Sequence, residues 1–154
     1  MDRVTPHLAW REVLRGSGYD DRHEVPKVVR DRLIETADEM FEPIRLAWGA
    51  ALRVVAGGGV RSPEMNERVG GALVSQHLLG RALDIKTTRP ADLVGLYRMI
   101  ARMQRDGEIP AGGLALYSTR GGVPRFVHVD RRGRRARWGY AALRRAEAWL
   151  QAVA

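Results

Sequence analysis

Cysteine is absent from the 154 residues, which excludes disulfides, thiolate nucleophiles and cysteine-bound zinc. No apolar run approaches the ~20 residues that a membrane-spanning helix requires. The opening MDRVTPHLAWREVLRGSGYDD carries charges where a secretory signal would place its apolar core, so no signal peptide is expected at this end. Internal repeats, low-complexity stretches and dividing linkers are missing as well. A single domain over residues 1–154 is therefore expected, since a chain of this length can bury ~70% of its unfolded surface without a covalent staple.

Lysine is also scarce. Lys27 and Lys86 stand alone among 26 basic side chains, which outnumber the 18 acidic ones to leave a formal charge of +8. The excess is local: residues 120–145 hold nine arginines (Arg120, Arg125, Arg131, Arg132, Arg134, Arg135, Arg137, Arg144 and Arg145) against Asp130. Outside that window the charges balance. Such a stretch is either a solvated arginine surface or a contact for an anionic partner, with an anionic envelope polymer, lipid headgroups and nucleic acid as the candidates. Nucleic acid is the weakest of these, because no recognised motif is present and only Trp138 and Tyr140 offer an aromatic platform.

Periodicity supplies the elements. Residues 25–48 place Val29, Leu33, Ala37, Met40, Phe41, Ile44 and Ala47 at helical intervals, with Pro43 as a kink or break. ALRVVAGGG reads as a buried strand entering a glycine turn, and a loop or short helix follows. ALDIKTT is a second strand, and residues 91–110 form a helix with Leu93, Leu96, Ile100 and Met103 on one face. GLALYS and RFVHVD read as two strands of a hairpin joined by TRGGVP, and residues 140–154 as a terminal helix. The expected class is α+β, with a mainly antiparallel sheet flanked by helices.

Four histidines are the first candidates for chemistry. His7 and His23 lie in a polar N-terminal region without evident partners and read as surface or capping residues. His77 leads through a glycine turn into a strand that carries Asp84 among Ala82, Leu83 and Ile85, where a carboxylate is costly unless paired or bound to a cation. In Phe126-Val-His128-Val-Asp130, His128 and Asp130 share one strand face and the valines the other. Two histidines and a carboxylate on or beside strands suit a three-ligand catalytic zinc site with an open position. On residue type alone they suit core histidines and an arginine-paired aspartate equally well. Serine chemistry fares worse, since Ser62, Ser75 and Ser118 lack the G-x-S-x-G elbow. VAGGGVRS and RVGGAL lack the spacing of nucleotide-binding loops.

These residues fall into a larger pattern. Ser75-Gln-His77-Leu-Leu-Gly80-Arg-Ala82-Leu-Asp84 resembles the S-x-H-x-x-G-x-A-x-D signature of the zinc D-alanyl-D-alanine peptidases, carboxypeptidases and peptidoglycan endopeptidases that share a fold with the Hedgehog signalling domain. Gly59-Val-Arg61-Ser62-Pro63-Glu64-Met-Asn66 resembles the S-G-Y-R-S-P-x-x-N segment of the carboxypeptidase branch. Val69-Gly70-Gly71-Ala72, Gly113-Leu-Ala-Leu-Tyr117, Phe126-Val-His128-Val-Asp130 and Arg135-Ala-Arg137-Trp138 extend the likeness over about residues 5–140, leaving the terminal helix at 141–154 beyond it.

The resemblance implies one zinc ion held by His77, Asp84 and His128, with Arg61 facing substrate. Ser75, Asn66, Glu64 and Trp138 then serve as supporting or substrate-contacting residues. Such an ion acidifies water and polarises a carbonyl, and an arginine fork can clamp a carboxylate. Two departures stand out. The acid that some members place three residues before the last histidine is Arg125 here, and the histidine that others place two before it is Phe126. Asp130 is then expected as the general base, with Glu64 as the alternative and an Asp130 paired with Arg135 or Arg137 as the structural reading. Val60 replaces the usual tyrosine. The function implied is a monomeric zinc metallopeptidase acting on D-amino-acid-containing peptidoglycan stem peptides. Without a signal peptide it would be made in the cytoplasm and reach the wall after release, or on a phage particle. The alternative is a non-catalytic, zinc-containing binding module of the same fold.

Overall fold

The computed structural model describes residues 2–154. The chain begins with an antiparallel ribbon of β1 (Arg3–Thr5) and β2 (Leu8–Ala9), followed by α1 (Trp10–Leu14). None of the three is foreseen from the sequence, because elements of two to five residues are too short to display a period. Burial of Leu8, Trp10 and Val13 fixes them to the core. His7 is not partnerless as expected: its backbone N–H and its ring Nδ1 meet the two Glu42 carboxylate oxygens at 2.8 and 2.7 Å.

The helix expected over residues 25–48 is one run of three pieces: α2 (Lys27–Thr36), a π-helical turn (Ala37–Phe41) and α3 (Glu42–Trp48). Pro43 does not break it. The Glu42 N–H donates to the Ala37 carbonyl across a widened turn, which leaves room for a ring that would crowd a carbonyl of a regular α-helix. Leu33, Ala37, Met40, Phe41 and Ile44 are fully buried along this run.

β3 (Leu52–Val54) leads through the glycine turn to α4 (Pro63–Arg68), whose first turn is capped by the Ser62 hydroxyl accepting from the Met65 N–H at 3.1 Å. Then come β4 (Ala82–Thr87), α5 (Leu93–Arg105), the hairpin of β5 (Gly113–Ser118) and β6 (Pro124–Asp130), the short β7 (Ala136–Arg137) and α6 (Tyr140–Val153). The main sheet has the order β3-β4-β6-β5-β7. Its pairs are antiparallel except β5 with β7, which is parallel, so the α+β class stands and the sheet is mixed at one edge. Among the described residues no helix is long and apolar enough to cross a membrane.

Register divides this sheet into two faces. Leu83 pairs with Val129 and Ile85 with Val127, while on β5 Leu114 and Leu116 oppose the same two valines. These six side chains are buried in the same core cluster as Leu93, Leu96, Ile100 and Met103 of α5, so one face of the sheet is the floor of the core. The alternate positions are Ala82, Asp84, His128, Asp130 and Ala115. Slipping any of these strands by one residue would exchange the faces and place carboxylates in the apolar core, which fixes the register.

Candidate metal centre

The pairing of Asp84 directly opposite His128 across β4 and β6 builds the centre. The His128 ring brings Nδ1 to 2.9 Å from Asp84 Oδ1, and His77 brings Nε2 to 3.3 Å from the same oxygen. One ligand atom from each of His77, Asp84 and His128 lies within 4.8 Å of the others, and all three residues are buried. His77 arrives from the loop after α4. Its backbone N–H donates to Ser75 Oγ at 3.2 Å, and the chain then turns into β4 through Gly80 at φ +74°. A Cβ there would sit 2.5 Å from the Val29 carbonyl, so only glycine closes this turn.

The outer nitrogens are occupied. His77 Nδ1 lies 2.7 Å from the Gly59 carbonyl, and His128 Nε2 lies 2.8 Å from Asp130 Oδ2. Both contacts are to acceptors; in the neutral state that metal binding requires, each ring would place its single N–H there and turn a lone pair toward Asp84. Two nitrogen lone pairs and a carboxylate oxygen then converge, an arrangement that repels itself unless a cation sits among them. The donor set of two imidazoles and one carboxylate is that of a catalytic zinc site, and it fits the ion.

Gly59 supplies its carbonyl at a close approach, since a Cβ on it would lie 2.6 Å from Val13 Cα and O. The same turn carries Arg61. Its Nε donates to the Gly57 carbonyl at 2.8 Å and its Nη1 to Asn66 Oδ1 at 3.3 Å, while Nη2 stands 3.7 Å from Asp84 Oδ2. Asn66 in turn donates from Nδ2 to the Ala72 carbonyl at 2.9 Å, so it ties Arg61 to the segment that leads to His77. Glu64 is exposed on α4 and lies outside the pocket lining.

Asp130 is completely buried and heavily engaged. Its Oδ1 accepts from the Gly113 N–H at 2.9 Å, and Arg132 grips both oxygens through Nε and Nη2, the latter at 2.7 Å. The arginine that pairs with it is Arg132, not Arg135 or Arg137. Burial would raise the carboxyl, yet the hydrogen bonds from His128, Arg132 and Gly113 hold it well below the usual range. For Asp84 burial likewise acts upward, and His77 and His128 outweigh it to leave the group at about 2. Burial opposes charge on His128, but Asp130 and Asp84 raise it.

A pocket of about 490 Å³ opens over this centre. Its wall is aromatic: Trp138 lies 5.1 Å from the His128 ring, Trp138 Nε1 donates to the Tyr117 hydroxyl at 2.9 Å, and Tyr117 stacks on Phe126 at 4.8 Å. Arg132 lies over the Trp138 ring at 5.2 Å. Asp84 is the one carboxylate of the lining. The sequence flagged Trp138 but not Arg132 or Tyr117. Nothing local separates Arg132 from its eight arginine neighbours, and Tyr117 enters only through the β5–β6 pairing.

A family model described as Peptidase M15 matches residues 8–130, from β2 to the end of β6. The match contains His77, Asp84, His128 and Arg61 and stops short of Arg132 and Trp138. No curated protein matches the chain.

Proposed function

Because the chain belongs to the zinc D-Ala-D-Ala peptidase family M15, we propose that it is a zinc metallopeptidase that hydrolyses a D-amino-acid-containing peptide bond in the peptidoglycan stem. The observation that carries this reading is the convergence of the His77, Asp84 and His128 ligand atoms within 4.8 Å of one another at the base of an open pocket. His77, Asp84 and His128 would hold a single zinc ion, which would supply Lewis acidity to a carbonyl and to water.

The chain's own residues take the remaining tasks. Arg61 is braced by Gly57 and Asn66 with Nη2 directed at the centre, where its fork suits a substrate carboxylate or a developing oxyanion. Ser75 shapes the His77 turn, and Trp138 with Tyr117 forms a wall for the stem peptide. Asp130 acts on His128: its carboxylate fixes which ring nitrogen carries the proton and thereby which one faces the metal. With every side of that carboxylate occupied, Asp130 serves as a positioning residue in place of the expected general base. A phage or prophage lysin that acts on the wall after release, or from a phage particle, accords with this activity, and the arginine-rich 120–145 window would hold it near anionic envelope polymer.

A second reading, the non-catalytic binding module, draws support from one feature: the lining offers no carboxylate besides the ligand Asp84. Digestion of purified peptidoglycan, followed by mass analysis of the soluble fragments, decides between the two. The enzyme reading predicts fragments cut at a stem bond, lost with a chelator and restored by zinc, and their masses separate carboxypeptidase from endopeptidase action. A zinc-loaded chain that releases nothing would leave the binding module.

A further inference from the structure

The densest group of arginines lies away from the metal centre, in a second pocket of about 450 Å³ between α5, β7 and the start of α6. It shares no residue with the lining of the first pocket. Arg98, Arg102 and Arg105 come from α5, Arg135 and Arg137 from the segment before α6, and the tyrosines Tyr97 and Tyr140 complete it. No carboxylate lines it.

The five arginines are unequally neutralised. Arg102 pairs with Glu108 at 2.9 Å and Arg105 with Asp106 at 3.0 Å, while Arg98 reaches Glu147 only at 3.6 Å. Arg135 and Arg137 have no carboxylate partner among the described residues. Arg137 spends its donors on the carbonyls of Gly112 and Ala136 and on Gln104 Oε1. Burial first, and the like charge of Arg135 second, push the Arg137 guanidinium down from its usual value. Two uncompensated guanidinium groups beside one cavity repel each other, and an anion between them removes that repulsion.

We propose that this pocket binds a phosphate group, carried as a free phosphate or as one unit of a phosphodiester-linked envelope polymer. Planar forks match phosphate oxygens bidentately, and the tyrosine-walled volume admits the unit attached to the phosphate. The site gives the arginine-rich stretch a defined place of contact and draws on α5 arginines outside residues 120–145. A nucleic-acid strand is less suited, because it needs a continuous basic track with stacking platforms. Here Glu147, Glu108 and Asp106 pair with Arg98, Arg102 and Arg105 and break the run of positive charge.

The test is calorimetric titration of the zinc-loaded chain with inorganic phosphate, with a poly(glycerol phosphate) oligomer and with single-stranded DNA. The double variant R98Q/R135Q is the control, since both side chains project from the rim and only one weak, exposed ion pair is lost. The expected result is saturable binding of phosphate or of the oligomer, weakened at least ~tenfold in the variant, which is ~1.4 kcal/mol, with zinc content and melting temperature unchanged. Preference for phosphate identifies a free anion as the ligand, and preference for the oligomer identifies the polymer. A second measurement covers a variant that melts early: phosphate should raise the melting temperature of the wild type saturably, beyond the effect of chloride at equal ionic strength. Equal effects of the two salts, equal binding by the double variant, or DNA bound more tightly than either phosphate ligand would overturn the proposal.

Discussion

His128 is held from both sides by carboxylates, and the two have different work. Asp84 faces the nitrogen that turns to the metal; Asp130 faces the other, in full burial and in the grip of Arg132. Asp130→Asn keeps the shape but removes the charge that orients the ring. It should weaken zinc binding by ~10- to 100-fold and lower stability by about 1–3 kcal/mol through the Arg132 left without its partner. Competitive chelator titration and thermal melting check both effects. Unchanged zinc affinity with turnover down by ~10²–10⁴ would instead return Asp130 to the role of general base. At this scale the ligands were legible because a histidine or carboxylate among apolar strand residues is conspicuous. The Asp130–Arg132 grip was not, because an i, i+2 pair at a strand end depends on how the chain leaves the sheet.

The N-terminal ribbon is the least legible element and the most dependent on one tertiary contact. β1 and β2 together have five residues, and the His7 between them is clasped by Glu42 at the start of α3. Burial would raise the Glu42 carboxyl, but the Thr5 hydroxyl beside it and the bonds it accepts from His7 hold it below its ordinary 4.5. A carboxyl that titrates lower in the folded chain stabilises fully above its ordinary value and ceases to do so as pH falls through the lowered one. The gap in stability between wild type and Glu42→Gln should therefore be about 0.5–1 kcal/mol at neutral pH, discounted for the exposed His7, and should shrink in acid below about pH 4. Urea unfolding at the two pH values measures it, and a gap that does not change would remove the clasp from the account. The long elements were readable for the opposite reason: α5 buries Leu93, Leu96, Ile100 and Met103 on one side, so its period is written along the sequence. The parallel edge strand β7 has two residues and leaves no such trace.

Across the whole molecule, two kinds of chemistry are kept apart by the sheet and its ends. One face of the sheet is apolar and packs on α5, the other carries the metal centre, and the surplus positive charge gathers near β7 and α6. The composition foretold the local charge but not its division between Arg132, which serves the centre, and Arg135 and Arg137, which line a separate pocket. The account rests on the claim that His77, Asp84 and His128 hold one zinc ion. Equilibrium dialysis of the chain against zinc, followed by metal analysis of the wild type and of His77→Ala and His128→Ala, tests it most directly, since two ligands seldom retain a catalytic metal. One ion per wild-type chain and a marked loss in both folded variants is the predicted result; stoichiometric zinc in both variants, or none in the wild type, would contradict it.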